Sequence, residues 1–340
     1  MKKSLGILGL VGAAALALVA SLCLGSVPIG PGTVLSVLGS KLFGIGAGVD
    51  PVTTTIVWEL RLARTLLAGA AGAALGASGA VLQGLFGNPL ADPYSMGVSS
   101  GASLGAVAVI VLGAKIGLGF RGSIEIAAFA GALVAAIVVY LSARVNKRTS
   151  PAAALLLAGA AVGSFISAIV ALIVALNNKD LSTVFFWMLG GFGGKGWREL
   201  GTTAPAVAIS LAASFLLAKP LDLLSAGEET AGTLGLDVAL LRCLAVAAAS
   251  LGAASAVAAG GVIGFVGLLG PHFARLAVGP LHRRLIPLSA VAGAMLLMLA
   301  DAFARSAAAP LELPVGIVTA LIGAPVFLSL LARSGEGRIA

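Results

Sequence analysis

The chain reads as an all-α polytopic membrane protein with about ten transmembrane helices and both termini cytoplasmic. Three observations carry that fold class. Hydrophobic residues make up 59% of the 340 and charged residues 10%, at a mean hydropathy of +1.10, more apolar surface than a soluble chain of this length can bury. The apolar stretches reach the roughly 20 residues that a helix needs to cross a bilayer. They are continuous rather than alternating, which excludes a β-barrel.

Taken in order, the first window is 4–26, behind Lys2 and Lys3. It is long enough to span, more membrane segments follow, and Leu22 stands where a lipoprotein site before Cys23 wants a small residue, so it reads as a helix and not a cleaved leader. The second, 62–86, carries Gly69, Gly72, Gly76 and Gly79 at three- and four-residue steps. These fall on one helix face, where a second helix can touch backbone to backbone. The helix runs into GNPLADP, whose Pro89 and Pro93 remove backbone donors and stop a membrane helix. Irregular backbone at membrane depth is tolerated where it lines a cavity or is buried in protein. Windows at 95–113, 123–143, 151–176, 200–218, 239–258, 260–278, 287–305 and 313–332 complete the set.

No linker divides the chain, so residues 1–340 form a single transmembrane domain, and the polar interruptions 28–58, 177–199 and 219–242 are too short to fold alone. The first ends in Trp58, an interfacial anchor. The second holds a short amphipathic helix and a glycine turn, LSTVFFWMLGGFGGKGW. A phosphate-loop reading of those glycines fails, because Gly190 to Lys195 lacks the GxxxxGK spacing and Gly196 stands where Ser or Thr should hold magnesium. The third, KPLDLLSAGEETAGTLGLDVALLR, concentrates Asp222, Glu228, Glu229 and Asp237 between two spans, with glycines that permit two short helices and a tight turn. A docking surface for a soluble partner is the preferred reading over a solvated loop.

The net charge of +8 points to membrane topology rather than nucleic acid, because the basic residues sit between hydrophobic runs. Lys2, Lys3, Arg144, Lys147, Arg148, Lys219, Arg242, Arg275, Arg283, Arg284, Arg333 and Arg338 all fall on the inner side of an alternating bundle. Arg61, Arg64 and Arg305 fall on the outer side and need another reason. Cys23 and Cys243 lie in different windows and read as small buried residues.

The motif order RLART, QGLFGNPLADP, GVSSGASLGA, LLLAGAAVGS, WMLGGFGGKGW, GEETAGTLGL, GGVIGFVGLLGPHFAR, LADAFAR and ELPVGIVTALIGAPVFLSLL covers nearly the whole chain. It resembles the permease subunits of binding-protein-dependent ABC importers for iron-siderophore complexes, haem and cobalamin, with the cobalamin branch the nearest through WMLGGFGG and the C-terminal third. The resemblance implies a homodimer or close heterodimer in the cell's inner membrane, in contact with lipid, with a pathway at the dimer interface. It also implies two cytoplasmic ATPase subunits that carry ATP and magnesium, and a substrate-binding protein docking from outside; this chain itself would be no enzyme and would bind no cofactor.

Residue by residue, Arg61, Arg64 and Arg305 resemble outer-rim arginines that receive carboxylates of the binding protein, a task suited to a bidentate, permanently charged guanidinium. The plainer alternative pairs Arg305 with Asp301 one turn earlier and makes Arg61 and Arg64 helix-end anchors. Asn88 and Leu90, with Thr149 and Ser150, resemble the two constrictions of a cytoplasmic gate; turn chemistry explains Asn88 equally, and an N-cap before Pro151 explains Thr149 and Ser150. Glu228, Glu229, Thr233 and Gly235 fall in the segment that would couple to the ATPase. Ser99, Ser103, Ser164 and Ser167 would give a pathway a weakly polar wall, though helix-to-helix hydrogen bonding explains any one of them. His272 and His282, flanked by arginines, make a poor metal site, and His272 after Pro271 would help end the eighth helix.

Two other function classes fit less well. An ion-coupled secondary transporter would carry ionisable groups deep in its spans, and only Asp301 and Glu125, both near helix ends, approach that. An intramembrane enzyme would need a nucleophile with a base or a metal cluster within the spans, and the sequence offers neither.

Overall fold

The structure is a computed structural model that describes residues 2–45, 49–113, 122–145 and 150–335. Every described element is a helix or a turn. The helices are α1 Lys2–Cys23, α2 Pro31–Phe43, α3 Pro51–Thr55, α4 Ala63–Phe86, α5 Val98–Leu112, α6 Ser123–Val145, α7 Pro151–Leu176 and α8 Leu181–Leu189, followed by α9 Trp197–Leu216, α10 Ala218–Leu224, α11 Glu228–Thr233, α12 Val238–Gly260, α13 Val266–Val278, α14 His282–Ser306 and α15 Val315–Gly335. Each of the ten predicted windows contains a helix, and among the described residues seven helices are long and apolar enough to cross a membrane; α5, α13 and α15 supply shorter apolar stretches. At 1.5 Å per residue, α13 covers about 20 Å, less than the ~30 Å of a hydrocarbon core.

The second helix, expected from residue 62, begins at Pro51. A π-helical turn, Ile56–Leu62, joins α3 to α4 without a break. The start is built by sequence-local chemistry: the Asp50 carboxylate accepts from the Thr53 N–H at 3.1 Å, and Pro51 occupies the first turn. Trp58 lies on this extension and stacks, tilted, on Trp197 at 5.6 Å between ring centres.

α4, α12 and α14 form the interior, while α1, α6, α7 and α9 are mostly exposed. The reason is side-chain size. The predicted glycine stripe of α4 is the seam: Gly72 faces Gly293 and Gly76 faces the Ser289 carbonyl on α14, Gly79 faces Gly267 on α13, and Gly69 lies against Met298. At Gly72, Gly76 and Gly79 an added Cβ would overlap the neighbouring backbone. A second seam joins α5 to α6 through Gly101 against Gly131 and Gly105 against Ala127. Dispersion between closely approaching backbones is the main force available where lipid is as apolar as the protein.

α13 runs on through Pro271 and His272 to Val278, and the chain turns at Gly279, with φ +84°. The expectation that His272 ends this helix is therefore corrected. Pro271 deprives the Gly267 carbonyl of its helical donor, and that carbonyl abuts Gly79 of α4, so the proline sits where close packing covers the gap. Cys243, expected to be buried, is exposed near the start of α12, beside exposed Leu240 and Leu244. Cys23 is half-buried.

Candidate functional site: a hydroxyl-lined groove between two polar ends

The hairpin after α4 is held by its own side chains. Gly87 closes α4 in the left-handed region at φ +57°, and the Asn88 side-chain oxygen accepts from the Leu90 N–H at 2.9 Å. Asp92 then caps a short 3-10 turn, Pro93–Met96, through the Tyr94 N–H at 2.8 Å. Asn88 and Leu90 are both half-buried. Across the connection from α6, Ser150 is exposed and caps α7, its hydroxyl accepting from the Ala153 N–H at 3.3 Å with Pro151 in the first turn. The capping and turn readings of Asn88 and Ser150 thus hold, and either residue retains its place at the hairpin end of the bundle. Thr149 lies outside the described residues.

Beyond the hairpin, α5 and α7 bound a groove of about 560 Å³, open along one side. Ser99, Ser164 and Ser167 line it, together with Tyr94, Ser95 and Ser100, which the sequence reading did not single out. Ser103 does not line it. It is 4% exposed and donates to the Ser99 carbonyl at 2.9 Å, one turn back, because it lies on the α5 face turned into the protein. Ser95 and Ser100 likewise donate to nearby carbonyls, of Asp92 and Gly97. Hydroxyls already bound to backbone leave only weak acceptor capacity toward the groove. The Tyr94 hydroxyl also accepts from the Ile263 N–H at 3.4 Å, tying the hairpin to the irregular stretch before α13, where Phe265 adopts a left-handed φ of +68°.

At the opposite end of α4, Arg61, Arg64 and Arg305 converge, but not as open rim residues: their exposures are 6%, 7% and 6%. Arg61 donates to the carbonyls of Leu22 and Cys23, at 2.8 and 3.2 Å, and to that of Val27, so one fork holds the turn that follows α1. Arg64 binds both oxygens of Asp301 and both of Glu312, at 2.8–3.2 Å. Arg305 pairs with Asp301 at 3.1 Å, the one-turn contact of the plainer alternative, and donates to the Ser21 hydroxyl at 3.0 Å. A buried cation demands partners, and here the chain supplies them itself. Glu312 is the most accessible member, its side chain 49% exposed.

The glycine turn of WMLGGFGGKGW packs inward at this same end. Gly190, with φ +69°, accepts through its carbonyl from the Val315 N–H at 2.9 Å, and Phe192 is fully buried beneath Gly260. Lys195 donates to the Ala259 carbonyl near the end of α12; desolvation depresses its ammonium below the usual lysine value, against the opposing pull of Glu125 and Glu199.

The acidic interruption folds as the two predicted short helices, α10 and α11. Gly227, with φ +105°, starts α11, and Gly235, with φ +86°, ends it. Glu228 reaches Arg242 on α12 at 2.8 Å, yet its side chain remains 60% exposed. Glu229, Thr233 and Gly235 are exposed beside Leu234, at 64%. Acidic groups and bare leucine together form a surface that this chain leaves uncovered.

Among the described residues, fold and geometry define an all-helical, multi-pass membrane protein with a hydroxyl-lined groove beside the hairpin. The profile of the FecCD transport family matches residues 13–333, and the chain belongs to that family. The cobalamin import system permease of Halobacterium salinarum is 46% identical over 284 residues, covering 84% of this chain and 75% of that protein. The vitamin B12 import system permease of Salmonella typhi is 41% identical, covering 94% and 93%. Among solved structures, an inward-facing metal-chelate type ABC transporter superposes with a TM-score of 0.82 at 31% identity, over 96% of this chain and 98% of that one. The resemblance drawn from the motifs is therefore borne out at the level of the family.

Proposed function

We propose that the chain is the membrane subunit of an ATP-driven importer of cobalamin in the cell's inner membrane. The observation that carries this reading is the groove between α5 and α7. It is lined by hydroxyls and open along one side, so a second copy facing it would close a wide, weakly polar pathway. A bulky chelate passes such a wall without being trapped, whereas charges there would hold it. Cobalamin is preferred over haem or a ferric siderophore because relatives named for cobalamin or vitamin B12 import reach 41–46% identity.

In this reading the segment Ala218 to Gly235 docks the ATPase subunit, on which ATP and magnesium bind. Asn88, Leu90 and Ser150 narrow the pathway at the same end. The arginine end faces the substrate-binding protein, and exposed Glu312 is the group that a partner carboxylate would displace from Arg64. Uptake of labelled cobalamin, haem and a ferric siderophore by cells expressing the complete system tests the substrate. Cobalamin uptake that unlabelled haem and siderophore leave undiminished supports the assignment; uptake of either of the others in its place refutes it.

A further inference from the structure

We propose that Asp222 and His282 form the strut that carries movement of the exposed Ala218–Gly235 segment to the hairpin, acting as positioning residues in transport. The proposal rests on reading that segment as the ATPase dock. Among its acids, Glu228 and Glu229 are exposed, whereas Asp222 on α10 is half-buried and turns toward α14. One oxygen of Asp222 accepts from the His282 backbone N–H at 2.8 Å and contacts the ring Nδ1 at 2.7 Å. The backbone N–H groups of the first turn of α14 lack helical partners, and a carboxylate is favoured there by the helix dipole. With the proton on Nδ1, the ring adds a second donor to the same oxygen.

The other edge of the ring continues the path. His282 is 7% exposed, and its Nε2 lies so close to Gly84 that a Cβ at that position would overlap the ring. Gly84 sits in the last turn of α4, and its carbonyl accepts from the N–H of Gly87, where the hairpin opens. α10 is itself seated by Leu221 and Leu224, buried in the same core as Leu85 and Leu285. The contacts therefore run without a gap from α10 to Asp222, His282, Gly84 and the hairpin. Apolar packing alone lets helices slide; two charge-assisted bonds on one oxygen fix both direction and distance.

The test uses the complete complex of permease, ATPase and binding protein in proteoliposomes. His282→Ala should leave assembly with the ATPase intact while substrate moved per ATP hydrolysed falls about tenfold, within the ~5–150-fold scale of coupling between sites. His282→Asn, whose side-chain N–H can replace the Nδ1 donor, should recover most of that ratio. Asp222→Asn, milder because it keeps an acceptor for the backbone N–H, should fall between them. Parental transport per ATP in His282→Ala, or equal failure of the Ala and Asn variants, overturns the strut. Failure of the underlying dock would look different: Glu228→Arg with Glu229→Arg would leave assembly unchanged.

Discussion

Arg64 and Asp301, 237 residues apart in sequence, meet in a two-pronged ion pair, with guanidinium Nη2 and Nε 2.9 and 3.0 Å from one oxygen of a fully buried carboxylate. The pair joins α4 to α14, the same helices that touch through Gly72 and Gly293, so charge fixes the register of a contact whose small side chains specify little by themselves. Arg305 shares the carboxylate. Two cations on one anion make the anion the most sensitive member.

Asp301→Ala leaves two buried guanidinia without that partner and should cost on the order of 3–5 kcal/mol, the usual penalty for breaking a buried ion pair from one side. The measurement is the apparent thermal unfolding midpoint in detergent, which should drop well below that of the parent. Glu312→Gln, at the half-exposed end of the network, should lower it far less.

Helix seams predict a position-specific response to one methyl group. Gly79→Ala drives a Cβ into the Gly267 backbone, whereas Gly201 on α9 has nothing within 4 Å of an added Cβ. Gly79→Ala should abolish recovery of folded protein by size-exclusion chromatography. Gly201→Ala should match the parent or gain up to about 1 kcal/mol from helix propensity.

The binding-protein face predicts an increase, not a loss. If partner carboxylates compete with Glu312 for Arg64, Glu312→Gln should strengthen association several-fold, with a steeper salt dependence of the association rate than the parent shows. Surface-binding kinetics in nanodiscs measure it, and an unchanged rate at every salt concentration assigns the arginines to internal support alone.

The gate assignment predicts contact across the dimer axis. Single cysteines at Leu90 or Ser150 should form disulfides between subunits in a closed state, with a yield that changes when nucleotide and binding protein are added. A disulfide requires Cα atoms within roughly 4.4–6.8 Å, so absence of cross-linking in every nucleotide state contradicts the gate.

The sequence made local chemistry legible. The glycine stripe from Gly69 to Gly79, the stop at GNPLADP, the Ser150 cap and the two short helices around Gly227 follow from rules acting over a few residues, and the structure has each of them. The start at Asp50-Pro51 uses the same local chemistry, but it lies within residues 28–58, which the sequence reading treated only as a polar interruption without drawing on it. Long-range pairings were not legible. Arg64 with Glu312 and Asp222 with His282 join segments whose neighbourhood only the packed bundle creates; Arg64 looked exposed because its counter-charges lie far along the chain, and Arg61 because the carbonyls it holds belong to the turn after α1. Ser103 differs from Ser99 by one helical turn, yet the small drift per turn is enough to rotate its hydroxyl away from the groove.

The central claim is tested most directly by reconstituting the permease with its ATPase and binding protein in sealed proteoliposomes and following labelled cobalamin. The account predicts accumulation that requires ATP and the binding protein and persists when ion gradients are collapsed. Accumulation by the permease alone, driven by a proton or sodium gradient and indifferent to ATP, would contradict it and make the chain a secondary transporter.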